Sequence, residues 1–491
     1  MSLVKKVAHN TIIQIAGKII STILGLLALA FITRYLGRGG FGEYTTVLTF
    51  LTFFAGIADF GLTLVTVQMI CARGADESKI LNNIFGLRLV SIIAIITLAP
   101  IAVYFFPYSP AIKIGVIIAF ASFIFPALNQ VIVGLLQKKL SMGRDAIAEV
   151  ISRLTLIIGI LLAIRFNTGL NGVLWASVAS AAAGFISHYL FALKFAAIKP
   201  EFDWLIWKNI FSKSWPLAIT IVLNLIYLRT DTLFLSIFRG IDEVGLYGAT
   251  YRIIDVLTTI PFMFAGLILP ILTTAWSDSS HDYFKRVLQK SFDLMALIAI
   301  PLVVGAQFLS QPIMTAIAGN EFAASGKILQ VLIFAVAAIF LGTMFSHAVI
   351  ALDRQKKMIG YYVFTSLTAL AAYLILIPKF SYFGAAAVTI YSELMIAIFS
   401  AVCVYKYSRF YPRLSLSLKS LASAGIMGLS LYWLSSYSRS GLIGLAITII
   451  TASIAYFAAL FLMGGIKRSD LETIFRRQKK IGAPTYNNTN Y

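Results

Sequence analysis

From Asn10 to Gly464 the chain alternates between apolar stretches about twenty residues long and short polar links, many of them basic. A helix rises about 1.5 Å per residue and a bilayer core is about 30 Å thick, so each stretch is long enough to cross one. The pattern predicts fourteen spans, at 10–34, 42–70, 84–106, 112–136, 147–165, 172–195, 211–237, 247–275, 287–309, 328–351, 358–378, 383–407, 419–436 and 440–464. The second, seventh and eighth exceed what a bilayer needs and are expected to tilt, kink or protrude. The fold class is therefore an all-α polytopic membrane protein.

Charge supplies the orientation. With the N-terminus placed in the cytoplasm, the inside segments carry about 27 lysines and arginines and the outside segments about 8, the asymmetry of the positive-inside rule. The inside set runs from Lys5 and Lys6 through Lys138, Lys139 and Arg144 to Arg476, Arg477, Lys479 and Lys480. A missed or invented span would scramble this alternation downstream, yet it persists to the end. A multi-pass protein of the inner (cytoplasmic) membrane with both termini cytoplasmic is expected.

Composition agrees, at 59% hydrophobic and 12% charged residues. The formal net charge of +20 would suggest nucleic acid in a soluble chain, but no nucleic-acid-binding motif accompanies it. In a membrane protein it points to anionic lipid at the cytoplasmic surface, where the basic tail after Gly464 would rest. The sequon at Asn487 lies on that same side and is read as without meaning. Cys71 and Cys403 make no disulfide framework or metal spacing, and His9, His188, His281 and His347 form no ligand motif. Lys5 and Lys6 precede a span without a small-residue cleavage site, which reads as a retained first helix.

A repeat divides the chain. The link after span one contains Gly37, Gly42 and Tyr44, and the link after span seven contains Gly240, Gly245 and Tyr247, all at one offset of 203 residues. Glycine permits the tight reversal and tyrosine suits the membrane interface. Six spans separate the copies, an even number, so the halves share one orientation, as in parallel-repeat transporters with a substrate site between the halves. The expected organisation is an N-lobe at 1–200, a C-lobe at 201–412, two further helices at 413–466, and a basic, polar tail at 467–491.

Three runs of residues in the first two spans carry a family likeness: Thr33-Arg34-Tyr35-Leu36-Gly37, Gly40-Phe41-Gly42-Glu43-Tyr44 and Ala58-Asp59-Phe60-Gly61-Leu62. With Ser214-Trp215-Pro216, Tyr227, Arg229, Asp231, Glu243, Tyr251, Arg252, Pro261 and Pro270 in the second half, the chain resembles the polysaccharide-transporter flippases of the multidrug/oligosaccharidyl-lipid/polysaccharide exporter superfamily. Its fourteen-span plan is also compatible with the lipid II flippase branch. The resemblance implies a translocator for a polyprenyl-pyrophosphate-linked oligosaccharide, with that lipid-linked glycan and glycan-assembly proteins as partners. It also implies two six-helix lobes around a central cavity lined by spans one, two, seven and eight. Spans thirteen and fourteen would lie outside the lobes and form a groove for the lipid tail.

A charge at bilayer depth costs roughly 2.5–3.5 kcal/mol on insertion scales, so each one is a functional candidate. Lys18, Arg88, Arg153, Arg229 and Arg252 are candidates to bind the pyrophosphate, because arginine's planar fork pairs with phosphate oxygens and stays charged. Asp59, Asp231, Asp255, Asp293 and Glu393 are candidates to couple transport to H+ or Na+, and no other cofactor is expected. Each has a structural alternative. Arg252 and Asp255 are three apart and can pair with each other, and Lys18 can snorkel. Arg88, Glu149 and Arg153 can form ion pairs near helix ends; Asp59 can bond the local backbone before Gly61. His188 and His347 read as packing residues. Asn224, Tyr227, Thr63 and Gln68 offer polar groups for sugar hydroxyls.

Alternating access is the leading functional expectation. There is no P-loop for ATP hydrolysis. A cation-coupled multidrug exporter would favour a cavity of acids and aromatics, whereas the cations here favour an anionic substrate. A membrane glycan polymerase, ligase or glycosyltransferase needs a long outer loop with catalytic acids. The longest outer loop is expected at 310–327, and no paired-acid or nucleophile motif is present, so the chain is not expected to be an enzyme.

Overall fold

The computed structural model describes residues 3–62, 66, 69, 76–139, 141–435, 437–439 and 441–465. Thr63, Gln68, Cys71 and the tail at 467–491 lie outside the described residues, as do the side chains of Lys5 and Lys6. Every regular element among the described residues is helical: α1 (Leu3–Asp59), α2 (Glu77–Ile96), α3 (Leu98–Ala102), α4 (Pro110–Ala119), α5 (Ala121–Lys138), α6 (Met142–Arg165), α7 (Gly169–Ala192), α8 (Trp204–Phe238), α9 (Ile241–Ser277), α10 (His281–Ala318), α11 (Ser325–Ala351), α12 (Gln355–Ser408), α13 (Ser415–Trp433) and α14 (Leu442–Leu462), with three short 3-10 turns.

Eleven segments among the described residues are long and apolar enough to cross a bilayer, where fourteen spans were expected. The difference arises at three places. The first is inside α1, where Gly37 leaves the helix at φ 65° and ψ −173°. Before it, Tyr35 bonds the far end of α6 at Ala163; after it, Thr45 lies against Gly248 near the start of α9, while Phe60 meets Phe211 edge-to-face near the start of α8. The chain therefore turns back at Gly37, at a backbone angle that glycine adopts without strain. The second is inside α12, where Ser381 adopts φ 54° just after Pro378, and Gly384 folds back onto the Leu376 carbonyl. The third is α13, whose serines reduce its apolarity. Ser420 is instead buried on the Tyr456 hydroxyl of α14 at 2.7 Å.

Packing sorts the helices. α6 lies along α7 and α1, α11 lies along α10 and α12, and α13 with α14 covers α10. Ala424, Met427 and Leu431 pack there with Leu309, Leu445 and Leu460. The two glycine links of the repeat meet at one end of the bundle, hereafter the Gly37 end. A Cβ at Gly42 would stand 2.0 Å from the Ile241 carbonyl oxygen, and a Cβ at Gly245 would stand 2.2 Å from that of Arg38. Tyr44 and Tyr247 are buried beside this contact rather than set at an interface; Tyr247 is needed inside, where its hydroxyl binds Asp231 at 2.8 Å. The stretch 310–327 is not an open loop: α10 runs to Ala318, and Phe322 is buried edge-on against Phe41.

At the opposite end, hereafter the Asp203 end, the link between α7 and α8 is strapped to α2. Asn82 and Asn83 donate to the Glu201 carboxylate at 2.9 and 3.2 Å, and the Asp203 amide donates to Asn83 at 2.7 Å. Asp203 caps α8 by accepting from the amides of Leu205 and Ile206 and pairs with Lys79 at 3.2 Å. That lysine, with the Ile206 and Leu205 amides, holds the exposed carboxyl below the usual aspartate range.

Candidate functional site: a joined pair of recesses

Four helices of the second half, α8, α9, α11 and α12, leave a cavity of about 700 Å³ between them. Arg229 and Asn224 enter it from α8, Tyr251 and Asp255 from α9, Ser346 and His347 from α11. Tyr362 and Glu393 reach it from the two halves of α12, which the turn at Ser381 brings side by side. The cavity extends to Gln355 and Lys356 at the first turn of α12.

A second recess of about 400 Å³ lies between α1 and α6 on one wall and α9 on the other. Gln14, Lys18, Asp145 and Glu149 line the first wall; Thr259 and Met263 line the second. Asp255, Thr258 and Phe262 belong to both spaces, so the cavity opens sideways into the gap between the two helix groups.

Within this joint the candidate charges are arranged as pairs. Lys18 reaches Glu149 at 3.1 Å rather than snorkelling, with side chains 40% and 28% exposed. Arg229 reaches Asp255 at 3.2 Å, with 34% and 39% exposed. Asp255 thus pairs across to α8, and the local pairing with Arg252 is not formed. Arg252 makes no hydrogen bond or ion pair among the described residues. It lies one turn from Gly248, which abuts Thr45 of α1, and one turn before Asp255. Glu393 lines the cavity without a hydrogen bond or ion pair among the described residues. His347 bonds the Thr343 carbonyl through Nδ1 and turns its ring to the cavity, so it is not only a packing residue.

The remaining candidates lie elsewhere. Arg88 is buried and pairs with Asp59; it also donates to the carbonyls of Ala127 and Asp59 and to Gln130. This clamp ties the end of α1 to α2 and α5, which removes both residues from the set of cavity charges. Arg153 packs over Gly25, with its guanidinium carbon 3.9 Å from the position of a Cβ there, and does not line the joint. Asp231 is fully buried behind the cavity wall. It accepts from the hydroxyls of Tyr247 and Tyr251 and from the amide and hydroxyl of Thr232. Asp293 is held by Gln289 at 2.8 Å, which also bridges to Arg413 near the start of α13, away from the cavity.

Among the lining residues that escaped the sequence reading are Asp145 and Tyr362. Asp145 stands four residues before Glu149 on the same helix face, a spacing that could have revealed it. Tyr362 faces Glu393 only because α12 doubles back, which no local pattern announces. His188 spans from the Gly184 carbonyl to Asp145, so it supports the recess from behind.

Eleven apolar segments among the described residues, a back-folded repeat and a largely apolar cavity that carries Arg229, Asp255 and Glu393 and opens between helix groups define a multi-pass membrane transporter fold. The chain matches the family model described as polysaccharide biosynthesis protein over residues 7–276, more than half its length. It belongs to that family. It is 21% identical over 456 residues to the "Probable flippase AglR" of Haloferax volcanii, covering 89% of this chain and 91% of that protein. It is 23% identical over 403 residues to the "Putative O-antigen transporter" of Shigella flexneri, covering 79% and 94%. Its fold resembles that of the lipid II flippase MurJ in an inward closed conformation, with TM-score 0.73, 17% identity, and 92% and 98% of the two chains covered.

Proposed function

We propose that this protein is a flippase that moves a polyprenyl-pyrophosphate-linked oligosaccharide across the cytoplasmic membrane by alternating access, for the biosynthesis of cell-surface polysaccharide. The observation that carries the reading is the joint itself: Asp255, Thr258 and Phe262 connect the 700 Å³ cavity to the gap between the helix groups. Lys18 lines the recess and Arg229 the cavity, while Arg252, one turn before Asp255 on α9, lines neither and would reach the head group only if α9 turns. A polar head group can occupy such a space while its lipid tail stays in hydrocarbon. Lys18, Arg229 and Arg252 are the pyrophosphate contacts in this reading, and the neutral polar groups Asn224, Tyr362 and Ser346 receive sugar hydroxyls. The Asp203 end faces the cytoplasm, because the basic links gather there. The chain works as a translocator of its lipid-linked substrate and not as an enzyme.

Glu393 supports a second reading. A carboxyl group without a hydrogen-bond or ion-pair partner among the described residues, in a cavity with aromatic walls, suits an organic cation, as in a cation-coupled exporter, and Glu393 with Asp255 would then carry the coupling ion. One reconstitution separates the two. Vesicles holding the protein and a fluorescent polyprenyl-pyrophosphate oligosaccharide are assayed for head-group access from each face, and a parallel set is assayed for uptake of a lipophilic cation dye. Protein-dependent crossing of the glycolipid supports the flippase. Dye transport without glycolipid crossing, under imposed proton and sodium gradients, overturns it.

A further inference from the structure

The recess holds more carboxylates than a site for an anionic head group would be expected to tolerate. Asp145, Glu149 and Asp255 all line it, against Lys18 as the one lysine or arginine lining it among the described residues. We propose that Glu149 and Asp255 are resident counter-anions. They hold Lys18 and Arg229 while the site is empty and release them to the pyrophosphate of the substrate, so the two carboxylates set how tightly the head group is held and how fast it leaves. The inference rests on the flippase reading and adds the residues that govern release.

Three features support it. Each pair joins two helices: Lys18 of α1 with Glu149 of α6 in one wall of the recess, and Asp255 of α9 in its other wall with Arg229 of α8, which lines the adjoining cavity. The two pairs therefore present their charges to one shared space from opposite sides. Second, both pairs are open to a ligand, with every side chain 28–40% exposed. The Arg88–Asp59 pair, 4% and 14% exposed and fixed to two carbonyls, shows what a permanent pair in this protein looks like. Third, the cations are incompletely used. Among the described residues, Arg229 hydrogen-bonds through one nitrogen, Nη2, to Asp255 while its guanidinium lies over the Tyr251 ring, and Lys18 has one hydrogen-bond partner, Glu149. Arginine offers five N–H donors and lysine three, so a pyrophosphate can bind before the carboxylate is fully displaced.

The chemistry of exchange follows from these exposures. A hydrated ion pair is weak, whereas a pyrophosphate brings more charge and a geometry that two cations grip at once. A carboxylate competing for the same cation lowers affinity in both facing states. It also shortens the time the head group stays, and a flippase must release as well as bind.

The test measures opposite signs. Purified full-length protein is titrated with farnesyl pyrophosphate, and the same preparations in vesicles are assayed for crossing of the labelled polyprenyl-pyrophosphate oligosaccharide. Glu149→Gln and Asp255→Asn are each expected to bind the prenyl pyrophosphate about two- to fivefold more tightly, the range set by removing a competitor of this exposure. Crossing is expected to slow by a similar factor. Lys18→Gln and Arg229→Gln are expected to bind more weakly. Two walls give two independent variants, so a folding failure at one leaves the other to decide. Carboxamide variants that bind as the unaltered protein does, or more weakly, overturn the counter-anion role and leave the flippase reading intact if the unaltered protein transports. Unaltered protein that neither binds farnesyl pyrophosphate nor moves the glycolipid overturns both.

Discussion

The contact between the two glycine links predicts that one methyl group will open the Gly37 end. In Gly42→Ala the new Cβ would sit 2.0 Å from the Ile241 carbonyl oxygen. That is roughly 1.3 Å short of the 3.3 Å at which carbon–oxygen contacts become favourable. The obstructing atom is backbone, so no side-chain rotation relieves it, and the links must separate. Overpacking of this kind costs about 1–3 kcal/mol. If the closed arrangement carries that cost and the open one does not, the equilibrium shifts about 5- to 150-fold toward opening. Gly245→Ala meets the Arg38 carbonyl at 2.2 Å and should act alike. Gly39→Ala is the control, because its nearest neighbour is the tip of the Asp242 side chain at 3.1 Å, which can turn away. The assay labels a Thr45→Cys probe with a membrane-impermeant maleimide, in a background with Cys71→Ser and Cys403→Ser. Thr45 is buried, 7% exposed, behind the contact. Labelling should quicken in Gly42→Ala and Gly245→Ala and stay slow in Gly39→Ala. Equal labelling in all three, with unchanged thermal stability, would refute the view that this contact closes the Gly37 end.

Arg88→Met or Asp59→Asn should each lower stability by about 3–5 kcal/mol, because the surviving partner is left buried without its counterpart; melting in detergent checks this, and a small loss would deny the pair its clamping role. Tyr247→Phe should cost about 1.5–3 kcal/mol, the range for a hydrogen bond to a charged group, by removing a hydroxyl from fully buried Asp231, again read as a melting shift. At the Asp203 end, the lowered aspartate pKa means its contribution is present above the ordinary carboxylate range and is lost as pH falls through the lower, folded value. Asp203→Asn should therefore destabilise the protein at neutral pH and converge with the unaltered protein in acid, which parallel melts across pH would show.

Much of the architecture was legible because lipid imposes it. Backbone groups in hydrocarbon must be satisfied within helices, so apolar length alone locates them. The boundary that failed is one where helix continues past the apolar run, as at Trp204–Ile221 of α8, whereas the break expected between 378 and 383 falls where the chain turns, at Ser381. The site was less legible. Sequence marks a buried charge but not its partner, since partners come from other helices. Asp255 could be placed near Arg252 by spacing, yet it lies on Arg229, 26 residues away. Arg88 and Lys18 looked equivalent in sequence, and only burial distinguishes the clamp from the open pair.

The repeat explains why the glycines recur at one offset. When two similar links meet about an approximate two-fold axis, a position close to the axis faces its own counterpart. A side chain there would have to be accommodated twice in the same space. Gly42 and Gly245 are such counterparts: each faces the backbone of the other's link, Ile241 for one and Arg38 for the other, and a Cβ on either would stand 3.2 Å from the other's amide nitrogen. Positions farther from the axis are free to diverge. Glu321 accepts from the Arg38 amide beside the first link, while Glu243 pairs with Arg239 and Ser381 beside the second. The closing contact is thus built from what the two copies share. The charges of the joint, Lys18 with Glu149 on one side and Arg229 with Asp255 on the other, come from different positions in each half. On the proposed reading, closure at the Gly37 end and recognition within the joint rest on separate residues, so each should be alterable by mutation without the other.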